Sequence, residues 1–433
     1  MNVTNLTTNL QVEISNYIRK FSKDVSKPAY KFIKDSLNGI LRSKSIFISK
    51  IASHLSENIA QKKIEERLLY HFSKKNTHKQ LTELYYESNK SAIKSQKYLI
   101  MDGSAIRKNY AEKMEGIATI YDGSSRKKDK LERGYHWDNI VGVGKTIENE
   151  VNILPIYSEI YSKNLDKDYQ VSENRKILEV HKSLQPYISP DSILVLDRGY
   201  DRMTLIIPFL ERSQNFIIRQ TGIRHLVDIE YNQSISLKRL SNRTRLSHTY
   251  TVNQIRNGRK KQRIFNTGAI RVNFPNCKDN QYLWLITAKE SGKGKTWFLS
   301  YLNTDDEKEA INTTMEGYKY RWKVEEFHRQ VKQDFNLNKI KVMKYDTIKS
   351  VGALLLITMG FIAKFFNMMN KSTKLKIFEI TNLIYKNTLE YIPNYIYYKA
   401  TEAIRLLLNI FFKRRKSIKE NNFSYNHQPL LDL

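Results

Sequence analysis

The residues from Tyr318 to Lys332, YKYRWKVEEFHRQVK, combine acids, bases and phenols in a pattern suited to work on phosphate. The stretch has no Gly or Pro and is rich in Lys, Glu, Arg and Gln, a composition that favours helix. On one helix, Tyr318, Arg321, Glu325 and Lys332 fall inside an arc of roughly 60°. Val324, Phe327, Val331 and Phe335 form an apolar stripe that would pack on a core. Such a helix presents a carboxylate flanked by Arg, Lys and Tyr, the equipment for holding a metal ion against a phosphodiester. Glu326 sits at about 80°, outside the arc, so Glu325 is the acid on the working face. The same spacing also serves ordinary salt-bridged helix faces, and the choice turns on partner carboxylates.

Two apolar runs end in aspartate. KYLIMDG sets Asp102 after Leu99, Ile100 and Met101, and SILVLDRG sets Asp197 after Ile193, Leu194, Val195 and Leu196. An acid at the end of a buried strand is held rigidly and partly desolvated, a cost that a cation relieves. Gly103 and the pair Arg198–Gly199 permit a sharp exit and leave room for a phosphate. Either aspartate alone reads as a turn-forming acid. Together with Glu325 they favour a metal site. Three carboxylates can hold two Mg²⁺ ions about 3.5–4 Å apart, stabilising the attacking and leaving oxygens of an in-line displacement. Hard oxygen donors without His or Cys suit Mg²⁺, with Mn²⁺ able to substitute.

The charge balance points to the substrate class. Lys plus Arg number 73 against 44 Asp plus Glu, a formal charge of +29 over 433 residues. An AT-rich coding bias inflates Lys, Asn, Ile and Tyr but does not deplete acids, so the excess calls for a polyanionic partner. Basic residues run from Arg19 to Lys416, which suits a surface that follows double-stranded DNA. An anionic membrane is the weaker reading, since no basic amphipathic anchor stands out. Cys277 is the lone cysteine, which excludes disulfides within the chain and cysteine-rich zinc sites and fits a reducing cytosol. MNVTNLTTNLQVEIS lacks the features of a signal peptide. Val351 to Ala363 is apolar but short, and reads as a buried core helix rather than a membrane span.

Residues 10 to about 90 read as helices, with SKSIFISKIASHLSE as a short helix, turn and helix whose apolar face is Ile48, Ile51, Ala52 and Leu55. This unit suits DNA binding and equally a helical cap on the next domain. From Lys97 strands take over in KYLIMD, GIATIYD, IVGVGK and ILPIYSEIYS. SENRKILEVHKSL reads as a helix with Ser172 as N-cap, followed by strand SILVLD, helix 201–212 and strand NFIIRQ. The order β-β-β-α-β-α-β implies an α/β fold, a mixed sheet flanked by helices. Residues 214 to 304 are short alternating strands and read as a β-rich insertion rather than a continuation of the sheet. Helix resumes near Glu307, breaks around Pro393 and gives way to a disordered tail after KRRK.

The spacing Y-x2-R-x3-E-x6-K at Tyr318, Arg321, Glu325 and Lys332 resembles the signature of bacterial insertion-sequence DDE transposases of the hairpin-forming, cut-and-paste type. DRGY at Asp197–Tyr200 resembles their second-aspartate motif. The resemblance covers roughly residues 95 to 370 and implies a ribonuclease-H-like core with a β-stranded insertion between the second Asp and the Glu. It divides the chain into a helical N-terminal region (1–94), a first core segment (95–213), the insertion (214–306), a second core segment (307–370) and a helical C-terminal region (371–433) suited to dimerisation. It implies Asp102, Asp197 and Glu325 as catalytic metal ligands. Arg321, Lys332 and Arg198 are then expected to contact DNA phosphates, and Tyr318 a phosphate near a flipped base. Trp297 in TWFLSYL matches a tryptophan that stacks on that base; Trp284 is the less favoured candidate, and a plain core tryptophan the alternative. The implied reaction is nicking at an element end, hairpin formation, hairpin opening and joining to target DNA. The implied assembly is a homodimer on DNA, working on the nucleoid in the bacterial cytoplasm.

Other candidates read as structural. Ser124 and Ser125 lie on a basic loop without a recognisable base or oxyanion site. His136 in GYHWDN suits a structural histidine, and GVGK at 142–145 lacks phosphate-loop spacing. Rival functions within the same chemistry are a metal-dependent nuclease and an inactive or domesticated relative. From a different class comes a basic DNA-binding protein whose acids are merely structural.

Overall fold

The computed structural model describes residues 3–121, 131–144, 151–166, 172–256, 259–275, 282–385 and 397–424. The chain forms two compact units. A sheet unit comprises residues 89–105 and 118–328, and a helical unit comprises 1–88, 106–117 and 329–433.

The sheet unit is built on β1 (Tyr98–Arg107), β2 (Ala118–Tyr121), β3 (Leu131–Val143), β4 (Ile153–Tyr161), β5 (Ile193–Leu196) and β6 (Phe216–Arg219). Four strands precede helix 173–184 among the described residues, one for each of the four strand segments read from Lys97 onward. β1, β5 and β6 are parallel neighbours, with Tyr98 opposite Ile193 and Leu194 opposite Phe216. β3 lies on the other side of β1 and pairs antiparallel with β2 and β4. β5 is buried along its whole length, as its unbroken apolar run requires of a central parallel strand. Helix α6 (Glu173–Leu184) starts where expected, its first turn capped by Ser172 Oγ, which accepts from Arg175 N at 3.0 Å. Helix α7 (Met203–Glu211) links β5 to β6.

The insertion departs from expectation. Its strands β7 (His225–Asp228), β8 (Gln233–Ser236), β9 (His248–Arg256), β10 (Arg259–Asn273), β11 (Leu283–Glu290) and β12 (Lys295–Tyr301) do not form a separate layer. β12 pairs antiparallel with β6, Leu299 opposite Ile218, so core and insertion make one 12-stranded mixed sheet. The reason lies in β6: Phe216, Ile217 and Ile218 are fully buried, and an apolar strand with an open edge needs a partner for its backbone groups. The short helix α8 (Leu237–Arg243) is carried within the insertion. The mixed sheet flanked by helices is the α/β class expected from the order of elements.

Helix α9 (Glu307–Lys319) begins at Asp306, whose carboxylate accepts from Glu309 N at 2.6 Å. α10 (Trp322–Asp334) follows directly and passes into the helical unit after His328. The expected single helix from Tyr318 to Lys332 is therefore two. Between them the backbone tightens: Tyr320 N donates to Gly317 O, Arg321 N to Tyr318 O and Lys323 N to Tyr320 O, each three residues back. The apolar stripe holds, with Val324, Phe327, Val331 and Phe335 all at most 1% exposed.

The helical unit contains α1 (Val3–Arg19), α2 (Lys27–Ser43), α3 (Ile48–Ser53), α4 (Gln61–Phe72), most of α5 (Thr77–Lys94), α11 (Tyr345–Asn367), α12 (Lys371–Tyr385) and α13 (Tyr397–Ser424). Within SKSIFISKIASHLSE, Ser43 ends α2 and only Ile48–Ser53 forms a further helix; between them Ser45 Oγ accepts from Phe47 N at 3.2 Å. α11 is the one described helix long and apolar enough to cross a membrane, and 89% of its most apolar window is buried inside the fold. Tyr17 Oη donates to Ile357 O on it at 3.1 Å, and Gly360 receives the Tyr85 ring, which a Cβ would meet at 2.4 Å. α13 runs through KRRK to Ser424, so the tail expected there is helical to that point. The expected break around Pro393 lies outside the described residues, as do Ser124, Ser125 and Cys277.

Candidate active site

β5 ends at Leu196, and Asp197 is the first residue beyond it, followed by a single tight turn over Arg198–Tyr200. This is the carboxyl edge of a parallel pair, where side chains project past the sheet into a cleft. Asp102 differs. It lies inside β1, which continues to Arg107, although the pairing with β5 covers only Tyr98 to Ile100. Its carboxylate thus still stands beyond the paired end, and Gly103 N donates to its Oδ1 at 3.0 Å.

Three groups converge on Asp197. Tyr318 Oη, in the last turn of α9, donates to Asp197 Oδ1 at 3.0 Å. Arg219 Nη1 lies 3.8 Å from the same oxygen and donates to Tyr318 Oη at 3.4 Å. Arg321 Nη1 lies 3.9 Å from Asp197 Oδ2 and donates to Glu325 Oε1 at 2.6 Å. Arg321 thus bridges the two acids from the tight turn between α9 and α10. Its Nε is buried without a hydrogen-bond partner.

The electrostatics match this clustering. Burial, with Glu325 and Asp197 adding to it, pushes the Asp102 carboxyl up to about 7 against the opposing pull of Arg321. Burial and the Asp197 charge raise the Tyr318 phenol. Burial would lower Arg321, but Tyr318, Asp197 and Glu325 together raise it. The three carboxylates therefore feel one another. Hard oxygen donors of this kind suit a divalent cation of the Mg²⁺ or Mn²⁺ type. Among the described residues, no three His, Cys, Asp or Glu side chains are gathered so as to grip a metal directly. Arg321 supplies the positive charge that Asp197 and Glu325 share.

Beside Asp197 opens a cavity of about 420 Å³, bordered by Arg198, Arg219, Lys295 and Trp297. Trp297 is held on two sides. Its Nε1 donates to Ser241 Oγ at 2.7 Å, and Gly222 lies against its six-membered ring. Trp284, by contrast, is buried in β11, its Nε1 donating to Thr304 O at 3.1 Å. Lys332 lies seven residues beyond Glu325 on α10, within the helical unit. His136 stacks on Tyr161 and is driven down to about 4 by burial and Lys163, a structural placement. Gly142, of the GVGK segment, packs against Gln96 and Ile156.

Arg219 is the member that sequence reasoning missed. NFIIRQ carried the signal: an apolar run ending in a base, parallel to one ending in an acid. Because Leu196 pairs with Ile218, the next residues, Asp197 and Arg219, emerge side by side.

A mixed sheet whose adjacent strands deliver an acid and a base to a cationic cleft suits an enzyme acting on a polyanion. A family model described as Transposase DDE domain matches residues 151–359, a span that holds Asp197, Trp297, Tyr318, Arg321, Glu325 and Lys332 and begins after Asp102. Residues 151–359 are thus similar to the catalytic domain of DDE transposases, enzymes of metal-dependent phosphoryl transfer on DNA. No curated protein matches the chain.

Proposed function

We propose that this transposase cuts and joins insertion-sequence ends through a DNA hairpin, with Asp102, Asp197 and Glu325 as ligands of Mg²⁺, for which Mn²⁺ can substitute. The observation that carries the reading is Arg321 bridging Asp197 and Glu325, whose charges both act on the half-buried Asp102 carboxyl. When bound, the metal ions would neutralise charge on the attacking and leaving oxygens of each transfer.

The chain's own groups position DNA. Arg198 and Arg219 line the cavity beside Asp197 and would hold the phosphates flanking the scissile one as charge-assisted donors. Arg321 and Lys332 act alike from the turn before α10 and from along that helix. Tyr318 anchors Asp197 and offers its hydroxyl to a phosphate next to a flipped base, which stacks on Trp297. Water first attacks the phosphorus at the element end and releases a 3′-OH. That hydroxyl attacks the opposite strand, freeing flanking DNA and closing a hairpin, which a second hydrolysis reopens. The regenerated 3′-OH then attacks target DNA. Every step exchanges one P–O bond for another and needs positioning and charge neutralisation rather than a covalent enzyme intermediate. The N-terminal helices are assigned to DNA binding and the region from 371 to dimerisation, giving a homodimer on the element ends in the bacterial nucleoid.

Purified protein acting on end-containing duplex with Mg²⁺ tests the reading. Asp102→Ala, Asp197→Ala and Glu325→Ala should each abolish cleavage, and unchanged cleavage in any one removes that residue from the metal site. Trp297→Ala should impair hairpin formation more than first-strand nicking. Cleavage without any hairpin product in the wild type would instead mark a nuclease.

A further inference from the structure

The helical unit contains a second basic cleft. Residues from the segments 108–114 and 339–343, together with Phe47, line a groove of about 800 Å³. The two segments are tied together. Lys108 Nζ donates to Asn338 O at 2.7 Å and Ile340 O at 2.6 Å, Glu115 N to Met343 O at 2.9 Å, and Tyr345 N to the Glu115 carboxylate at 2.8 Å. The groove is thus pre-formed rather than assembled on binding.

Its chemistry is mixed in a specific way. Four lysines, Lys108, Lys113, Lys339 and Lys341, border it against one acid, Glu112. Burial, with the neighbouring Lys341 ammonium adding to it, brings Lys108 down to about 8. The floor, however, is apolar, with Met114 and Ile340 buried beneath and Lys341 over the Phe47 ring at 5.8 Å. At the rim stands Tyr110, whose side chain is 100% exposed. An intact duplex offers phosphates to the lysines but no apolar face to the floor or the tyrosine. An apolar peptide leaves the lysines unsatisfied. A DNA strand with a base swung out of its stack meets both demands, since every base has a π face and is flanked by phosphates.

We propose that this groove binds a DNA strand carrying an unstacked base, with Tyr110 as the stacking platform and Lys113, Lys339 and Lys341 on the adjoining phosphates. Its lining shares no residue with the cavity at Trp297. It rests on the chain acting on DNA, not on the roles given to Asp102, Asp197 and Glu325.

Full-length protein in metal-free buffer, where no cleavage occurs, separates the two readings. Fluorescence anisotropy would compare an oligothymidine with a duplex of equal length, and 5-iodouracil oligonucleotides would be photo-cross-linked to wild-type protein and the site mapped. The expected results are a cross-link at Tyr110 and roughly tenfold weaker oligothymidine binding in Tyr110→Ala. Tyr110→Phe should bind as wild type, and duplex affinity should change less than about twofold. Lys113→Ala with Lys341→Ala should lower the salt dependence of strand binding by about one to two ions. A cross-link map lacking Tyr110, or equal losses on strand and duplex, overturns the proposal. So does a Tyr110→Ala protein whose only change is self-association in sedimentation, which would make the groove a protein contact.

Discussion

Gly222 lies flat against the indole of Trp297, so close that a Cβ on it would stand 2.5 Å from Cζ3. Its φ of +87° is a second reason for glycine at this position. Together with Ser241, this contact fixes the plane of the ring that faces the cavity at Asp197. Gly222→Ala should cost about 1–2 kcal/mol from backbone strain alone, and more from the displaced indole. Urea denaturation with tryptophan fluorescence checks both effects, and hairpin yield should fall further than nicking. A variant with wild-type stability and emission would show that the indole is not held this way.

Arg219 stands beside Asp197 because of strand register, and it also donates to Tyr318. Its side chain is 36% exposed, so its loss should alter stability little. A charge-assisted hydrogen bond near the reacting phosphate is worth about 1.5–3 kcal/mol, so Arg219→Ala should slow single-turnover cleavage roughly 10- to 100-fold. Arg219→Lys should recover part of the rate. Equal rates in wild type and Arg219→Ala would place this arginine outside the reaction.

Gly317 puts two effects in opposition. It lies in α9, where alanine would raise helix propensity by about 1 kcal/mol. A Cβ there would also stand 2.8 Å from both Ile217 Cδ1 and Tyr98 Cε1, and overpacking of that kind costs about 1–3 kcal/mol. The clash should win, lifting α9 from the sheet and drawing Tyr318 away from Asp197. Gly317→Ala is expected to melt lower and cleave more slowly than wild type; a higher melting temperature would mean that the sheet yields instead.

Asp138 on β3 is 6% exposed and is pushed up to about 7, chiefly by burial, with Glu173 and Glu159 adding and the Tyr161 hydroxyl and Lys176 opposing. The folded state keeps this proton to about pH 7, whereas the unfolded chain releases it near 3.8. Between those values the folded state binds more protons, so this group's contribution to stability falls as pH rises and is flat above about 7. Asp138→Asn should remove that slope and stabilise the protein at pH 8, by on the order of 4 kcal/mol at most. Denaturation midpoints at pH 5 and pH 8 provide the comparison. Parallel pH profiles for the two proteins would contradict the assignment.

Local features of the sequence were enough to place much of this molecule. SILVLD reads as a buried strand with an acid at its end because an unbroken apolar run needs both faces covered, and Asp197 stands there. Ser172 and Asp306 mark helix starts because their side-chain oxygens satisfy backbone N–H groups within three residues. The stripe at Val324, Phe327, Val331 and Phe335 is legible from periodicity alone.

Tertiary structure decided the rest, wherever the partner lies far along the chain. Neither Gly nor Pro marks the break between α9 and α10, yet the turn there lets Tyr318 and Arg321 reach Asp197 from two helices instead of one face. β1 runs past Asp102, although its apolar run stops there, because its ladder with β5 ends at Ile100 while the strand itself continues. Alternation marked the insertion as strands, but the choice of β6 as the partner of β12 follows from an apolar edge that only the assembled sheet exposes. The opening helix face changes meaning accordingly. Residue types between Tyr318 and Lys332 settle what chemistry is available, and strand register with a tightened turn settles which groups meet, since hydrogen-bond ladders and packing join residues with no local signal to pair them.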